Sequence, residues 1–208
     1  MRRTLLIAAG AILLAASAQA QDTRVAEFQN LFISPCGEPF YAPKSDAYPI
    51  VKWFAGADAN HDGKLDIDEM RNDAARFFQV LDQNGDGVID NLEVNYYEHR
   101  IVPQILAPPD TGAIETGIVR VVLQSTNRNN GYESDPLTPD QGAAYYGLLH
   151  EPEPVRSADR NFDQRVTLKE FLDHSDRHFH ALDRSNKGYV VLADLPKTAA
   201  EQEAKAHR

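Results

Sequence analysis

Asp58-Ala59-Asn60-His61-Asp62-Gly63-Lys64-Leu65-Asp66-Ile67-Asp68-Glu69 spaces oxygen-bearing residues around a single glycine. A hard divalent cation of calcium size takes about six to eight oxygens at 2.3–2.6 Å. Asp58, Asn60 and Asp62 supply side-chain oxygens as the chain curls, and Lys64 offers its backbone carbonyl. Gly63 permits the sharp turn that a Cβ would resist. Asp66 acts directly or through water, and Glu69 closes the shell with two carboxylate oxygens from the start of a helix. A second loop repeats the pattern with Asp82, Asn84, Asp86, Gly87, the carbonyl of Val88, Asp90 and Glu93. Two complete patterns in register outweigh the bland alternative, a pair of Asp- and Gly-rich turns.

Apolar residues at helical spacing flank both loops. Ile50, Trp53, Phe54 and Ala57 share one face before loop 1, with Pro49 suited to the first helical position. Met70, Ala74, Phe77, Phe78 and Leu81 follow it, and Val94, Tyr97 and Ile101 follow loop 2 until Pro103 stops the helix. Leu65 and Ile89, each at the eighth loop position, should enter the core while their backbones form short two-stranded bridges. The loop starts are 24 residues apart, which leaves 12 residues between loops. One helix, about 18 Å long, must therefore end one loop pattern and begin the next, so the two loops cannot bridge to each other.

The order of residues from Asp58 to Glu93 recurs, shifted by 101, from Asp159 to Asp194. We read this as an internal duplication. Loop 3 keeps Asp159, Asn161, Asp163, the carbonyl of Arg165, Thr167 and Glu170, but Gln164 replaces the turn glycine. That exchange costs roughly 1 kcal/mol, and with two arginines and a lysine in the loop it predicts a weaker site. Loop 4 keeps Asp183, Ser185 and Gly188, yet Lys187 puts an ammonium where an oxygen is wanted, and Val191 and Asp194 remove further ligands. It should be empty and structural. Loop 1 is expected to pair with loop 4 and loop 2 with loop 3, under a pseudo-twofold, or else with loops of another chain.

These loops identify the chain as resembling the EF-hand superfamily of calcium-binding proteins. The close spacing, together with Asp66 and Asp90 at the ninth loop position, resembles lanmodulin, an exported bacterial protein that binds lanthanide ions, more than calmodulin, whose linkers are longer. The second loop position departs from lanmodulin: Ala59, Gln83, Arg160 and Arg184 stand where it typically carries proline. The half-degenerate second copy and the long insertion depart too. The resemblance implies a mainly all-α fold of helix-loop-helix repeats in two pairs with shared middle helices. It implies two Ca²⁺ sites and a weaker third, with a lanthanide ion as the alternative.

The chain of 208 residues divides as a signal peptide (1–20), an N-terminal extension (21–47), a first pair (48–102; loops 58–69 and 82–93), an insertion (103–151), a second pair (152–196; loops 159–170 and 183–194) and a polar tail (197–208). Arg2 and Arg3, an apolar stretch from Leu5 to Ala16 and Ala18-Gln19-Ala20 read as a secretory signal cleaved after Ala20. Periplasmic or secreted localisation follows. The apolar stretch is too short to span a membrane, so the mature chain has no span. Lys+Arg 21 against Asp+Glu 31 gives −10, and removing the two leading arginines gives −12. That balance argues against nucleic acid or anionic lipid as the main partner. Loops 1 and 2 carry −8 of it, so metal ions are the expected partners, with room for a protein partner besides.

In the flanking segments we expect a helix from Thr23 to Leu31, then a proline-rich stretch, and in the insertion an apolar run from Ile118 to Leu123. A further helix should open at Thr138-Pro139-Asp140-Gln141 and run to about His150. The tail should be a short polar helix or frayed. Cys36, the only cysteine, excludes an internal disulfide and reads as buried. His174 and His178, four apart, can hold a transition metal, but no third ligand is evident and a packed helix flank explains them more simply.

No nucleophile elbow, phosphate loop, paired-cysteine metal motif or HExxH occurs, and cation ligation accounts for the carboxylates, so no catalysis is expected. With only Met1 and Met70, a sensor with a Met-rich groove is disfavoured against a structural or buffering role. An enzyme or partner-binding module built on the insertion, with calcium holding its shape, is the third reading.

Overall fold

The computed structural model describes residues 29–106 and 140–206. The signal segment, residues 23–28 of the expected first helix, the apolar run at 118–123 and the helix start at 138–139 lie outside the described residues. In chain order the elements are β1 (Gln29–Ile33), β2 (Pro39–Pro43), α1 (Ile50–Ala57), β3 (Leu65–Asp66), α2 (Ile67–Leu81), β4 (Val88–Ile89), α3 (Asn91–Tyr96), α4 (Ala143–Tyr146), β5 (Val166–Thr167), α5 (Leu168–Leu182), β6 (Tyr189–Val190) and α6 (Ala199–Ala206). The described part is mainly helical, with three two-stranded sheets.

The two 15-residue helices α2 and α5 form the axis. Each begins in a capping box: the side chains of Asp66 and Glu69, or of Thr167 and Glu170, bond reciprocally to each other's backbone N–H groups. The two helices pack on one another, with Ser175 Oγ donating to the Met70 carbonyl at 3.3 Å. Arg71 reaches Asp176 through two hydrogen bonds of 2.6 Å. That pair is exposed and adds little stability; the buried apolar faces hold the helices together.

Short antiparallel ladders join loops across the copies. Leu65 pairs with Val190 and Asp66 with Tyr189 in β3–β6, while Val88 pairs with Thr167 and Ile89 with Val166 in β4–β5. Leu65 and Ile89 are fully buried. Two apolar clusters result. Trp53, Phe54, Leu65, Met70, Phe179 and Val190 lie under loops 1 and 4. Phe77, Phe78, Leu81, Ile89, Val166 and Phe171 lie under loops 2 and 3.

The N-terminal extension corrects one expectation. Residues from Gln29 to Leu31, assigned above to a helix, belong to β1, which pairs antiparallel with β2 from Gln29↔Pro43 to Ile33↔Pro39. Strand alternation explains the outcome. Leu31 and Ile33 enter the cluster under loops 2 and 3, and Phe32 between them enters the other. A period of two serves two cores at once, which one helix face cannot do. The turn needs Gly37, whose φ of +94° suits glycine and where a Cβ would sit 2.8 Å from the Tyr97 hydroxyl.

Three other expectations change. The helix assigned to residues from Thr138 to about His150 is only α4, because Gly142 adopts φ +59° against the Pro152 carbonyl and breaks the incoming turn. The helix after loop 2 turns from α to π at Tyr97–Ile101, with Val102 N–H donating to the Tyr97 carbonyl at 2.9 Å. The second copy is not a full pair of helix-loop-helix units. A 3-10 turn at Arg156–Ala158 precedes loop 3, and another at Leu192–Asp194 follows loop 4. Prolines cause the shortening: Pro154 bars its preceding residue from helix and leaves four residues before Asp159, while Pro196 restricts Leu195. The tail forms α6, tied in where Thr198 Oγ1 meets the Tyr48 hydroxyl at 2.8 Å.

Candidate metal centres

Loop 1 starts where α1 ends, at Asp58, whose N–H still donates to the Phe54 carbonyl at 2.9 Å. Asp58 Oδ1 accepts from Asp62 N–H at 3.1 Å and Oδ2 from Gly63 N–H at 2.9 Å. Asn60 Oδ1 accepts from Asp62 N–H at 2.8 Å, and Asp62 Oδ1 from Lys64 N–H at 2.9 Å. Glu69 reaches back from α2, accepting from Asn60 N–H at 3.3 Å and Asp66 N–H at 3.1 Å. These bonds curl the backbone around the carboxylates. A carboxylate has about four lone-pair sites, so each oxygen bonded once to backbone keeps acceptor capacity for a cation. The Lys64 ammonium lies over the Tyr189 ring, 4.7 Å from its centre, in the strand that faces loop 1.

Loop 2 has the same wiring. Asp82 takes N–H bonds from Gly85, Asp86 and Gly87 at 2.8, 3.1 and 2.9 Å, Asn84 takes one from Asp86 at 2.8 Å, and Asp86 takes one from Val88 at 3.0 Å. Glu93 accepts from Gln83, Asn84 and Asp90 N–H groups at 2.8, 3.2 and 3.0 Å. Asp66 and Asp90, at the ninth position, act as helix N-caps. Asp58, Glu69 and Glu93 are buried, and none of the ion pairs among the described residues involves them.

Positive φ at the fourth and sixth positions bends every loop: His61 and Gly63, Gly85 and Gly87, Phe162 and Gln164, Asn186 and Gly188. In loop 3, Gln164 holds φ +66° and its N–H still donates to Asp159 Oδ2 at 2.9 Å. Asp163 N–H donates to Asn161 Oδ1 at 2.8 Å and Arg165 N–H to Asp163 Oδ1 at 2.9 Å. Among the described residues the half-buried Glu170 carboxylate bonds only within the capping box, to Thr167 N–H at 3.0 Å and Thr167 Oγ1 at 2.8 Å. The cage is thus wired but looser. In loop 4 the Lys187 ammonium lies 3.4 Å from Asp194 Oδ2, an internal cation beside the twelfth-position carboxylate.

The EF hand family model matches residues 50–72 and 74–95, the helix-loop-helix segments around loops 1 and 2. These two segments are similar to EF hands. The matches support an EF-hand calcium-binding family, and calcium binding with it. No curated protein is significantly similar to the chain. Loops 3 and 4 lie beyond the matched residues; they share the 101-residue repeat and the backbone bends with loops 1 and 2. No helix among the described residues is long and apolar enough to cross a membrane.

Two residues singled out in the sequence find their surroundings here. Cys36 is a buried free thiol whose pKa burial pushes up, with Asp73 adding to the shift. His174 and His178 do gain a third neighbour, Glu151. No sequence signal marks Glu151, which precedes the second copy and belongs to neither repeat.

Proposed function

We propose that this is an exported calcium-binding EF-hand protein without catalysis of its own, holding two strong sites in loops 1 and 2 and a weaker one in loop 3. Its role is structural or buffering. The observation that carries this reading is the buried state of Asp58, Glu69 and Glu93, gathered by backbone N–H groups with no side-chain cation among the described ion pairs to neutralise them. Buried carboxylates of this kind are costly unless a cation compensates them. In loop 2 a divalent ion would meet Asp82, Asn84, Asp86, the Val88 carbonyl, Asp90 and Glu93; in loop 1 the corresponding six. Loop 4 carries its own cation in Lys187 and takes none. Export rests on the composition of residues 1–20 alone.

Calorimetric titration with Ca²⁺, Mg²⁺ and La³⁺ tests the proposal. Two calcium ions should bind with the moderate affinity of extracellular EF hands, followed by a weaker third. Sub-nanomolar La³⁺ binding with calcium bound only at millimolar levels would replace it with the lanthanide reading. No calcium binding at all would end it.

A further inference from the structure

His174 and His178 stand on α5 where Asp73 and Phe77 stand on α2. They are 4% and 1% exposed, with ring centres 4.0 Å apart. Both Nε2 atoms converge on one oxygen: Glu151 Oε2 lies 2.9 Å from that of His174 and 2.8 Å from that of His178. Hydrogen bonds on the far side of the rings report which nitrogens carry protons. His178 Nδ1 is 2.8 Å from the Pro35 carbonyl, which can only accept, so Nδ1 holds the proton. In the neutral ring Nε2 is then a bare lone pair. It is buried, has no hydrogen-bond partner among the described residues, and lies against a carboxylate oxygen. Two lone pairs at this separation repel unless a cation lies between them. An imidazole with Nδ1–H held by a carbonyl and Nε2 free is also how proteins prepare a histidine for a metal.

Glu151 is the anion this requires. Glu151 and His174 also line, with Glu153 and Arg177, a cleft of about 860 Å³ that gives access from solvent.

We infer that Glu151, His174 and His178 form a binding site for one first-row transition-metal dication of the zinc class. Two imidazole nitrogens and one carboxylate leave a fourth position for water, and nitrogen donors discriminate against calcium and magnesium. The site therefore stands independently of loops 1 to 3. At ordinary zinc bond lengths, tetrahedral ligand edges are about 3.4 Å, so Glu151 must withdraw by roughly half an ångström. It can do so, because it lies in a segment without regular secondary structure. His174 must also change tautomer. Arg177 Nη2 now donates to its Nδ1 at 2.8 Å, leaving the proton on Nε2. Metal binding displaces that proton, Nδ1 takes one up, and Arg177 turns into the cleft it already lines.

The test uses the full chain saturated with calcium and titrated with Co²⁺, then Zn²⁺. One Co²⁺ per chain should give visible d–d absorption, displaced by one equivalent of Zn²⁺. The band should vanish in H174A and in E151Q, with far-UV circular dichroism unchanged. Glu151 is half-buried and the amide nearly isosteric, so E151Q remains informative if a histidine variant misfolds. No d–d band under excess Co²⁺ overturns the inference, as does a band that survives E151Q and H174A together. So does a nitrogen-15 imidazole spectrum in which His178 is a protonated ring that Zn²⁺ leaves unshifted, because a proton would then fill the gap.

Discussion

Replacing Glu69 by glutamine keeps the length of the side chain and one of its acceptors while removing the charge. Glu69 serves two purposes in the structure. Oε2 accepts from Asp66 N–H at 3.1 Å to close the capping box of α2, and Oε1 accepts from Asn60 N–H at 3.3 Å across loop 1. The amide can serve only one of these donors, which costs about 1 kcal/mol. Removing one of five acids from the loop relieves like-charge repulsion, worth on the order of 1 kcal/mol for a pair in a polar environment. In chelator the two effects nearly cancel, so stability should move by no more than about 1 kcal/mol. With calcium at a hundred times the dissociation constant, a lost site removes about 2.7 kcal/mol of linkage stabilisation. Urea unfolding of E69Q and the unaltered chain, with chelator and with saturating calcium, reads both numbers, and calorimetry should count one ion fewer. Equal destabilisation in both conditions with an unchanged ion count would refute the reasoning: Glu69 would then be a helix cap and nothing more.

Q164G should relieve the left-handed strain at φ +66°, worth about 1 kcal/mol, and calorimetry should show the third calcium binding roughly fivefold tighter. D183A should leave the ion count unchanged. Asp183 is a buried acceptor for Lys187 and Gly188 N–H at 3.0 and 2.7 Å, so urea unfolding should register a loss of about 1–3 kcal/mol. L65A empties a fully buried position under loops 1 and 4 and should cost about 2–5 kcal/mol, read by the same method. The Cys36 thiol, held neutral by burial, should resist a thiolate-selective reagent at pH 8 until denaturant opens the chain. Complete labelling of folded protein within minutes would contradict its placement.

Much of the candidate site is legible in the residues because an EF-hand loop is local. Twelve consecutive residues carry the oxygens, the turn and the capping box, so spacing alone suffices for Asp58 to Glu69 and for Asp82 to Glu93. The separation of 12 residues between loops also led to the expectation that loops join across the copies; the ladders run Leu65 to Val190 and Ile89 to Val166. In the N-terminal segment the expected helix gives way to β1 because Leu31 and Ile33 enter one core and Phe32 the other, a division that depends on both clusters being assembled. The helices around the second copy were shortened by Pro154 and Pro196, whose effect on a two-turn helix outweighs the repeat pattern.

By itself the sequence determined the spacing of the oxygen-bearing residues, the concentration of negative charge in loops 1 and 2, and the replacement of a glycine by Gln164 and of an aspartate by Lys187 at the matching positions of loops 3 and 4. All of these depend on neighbours within a dozen residues. Only the tertiary structure decided that β1 would run between the two apolar clusters and that Glu151 would meet His174 and His178. Glu151 and His174 lie 23 residues apart, and Pro35, just after β1, meets His178 from 143 residues away; no local periodicity encodes such contacts, which follow from how α5 packs against the chain on either side of it.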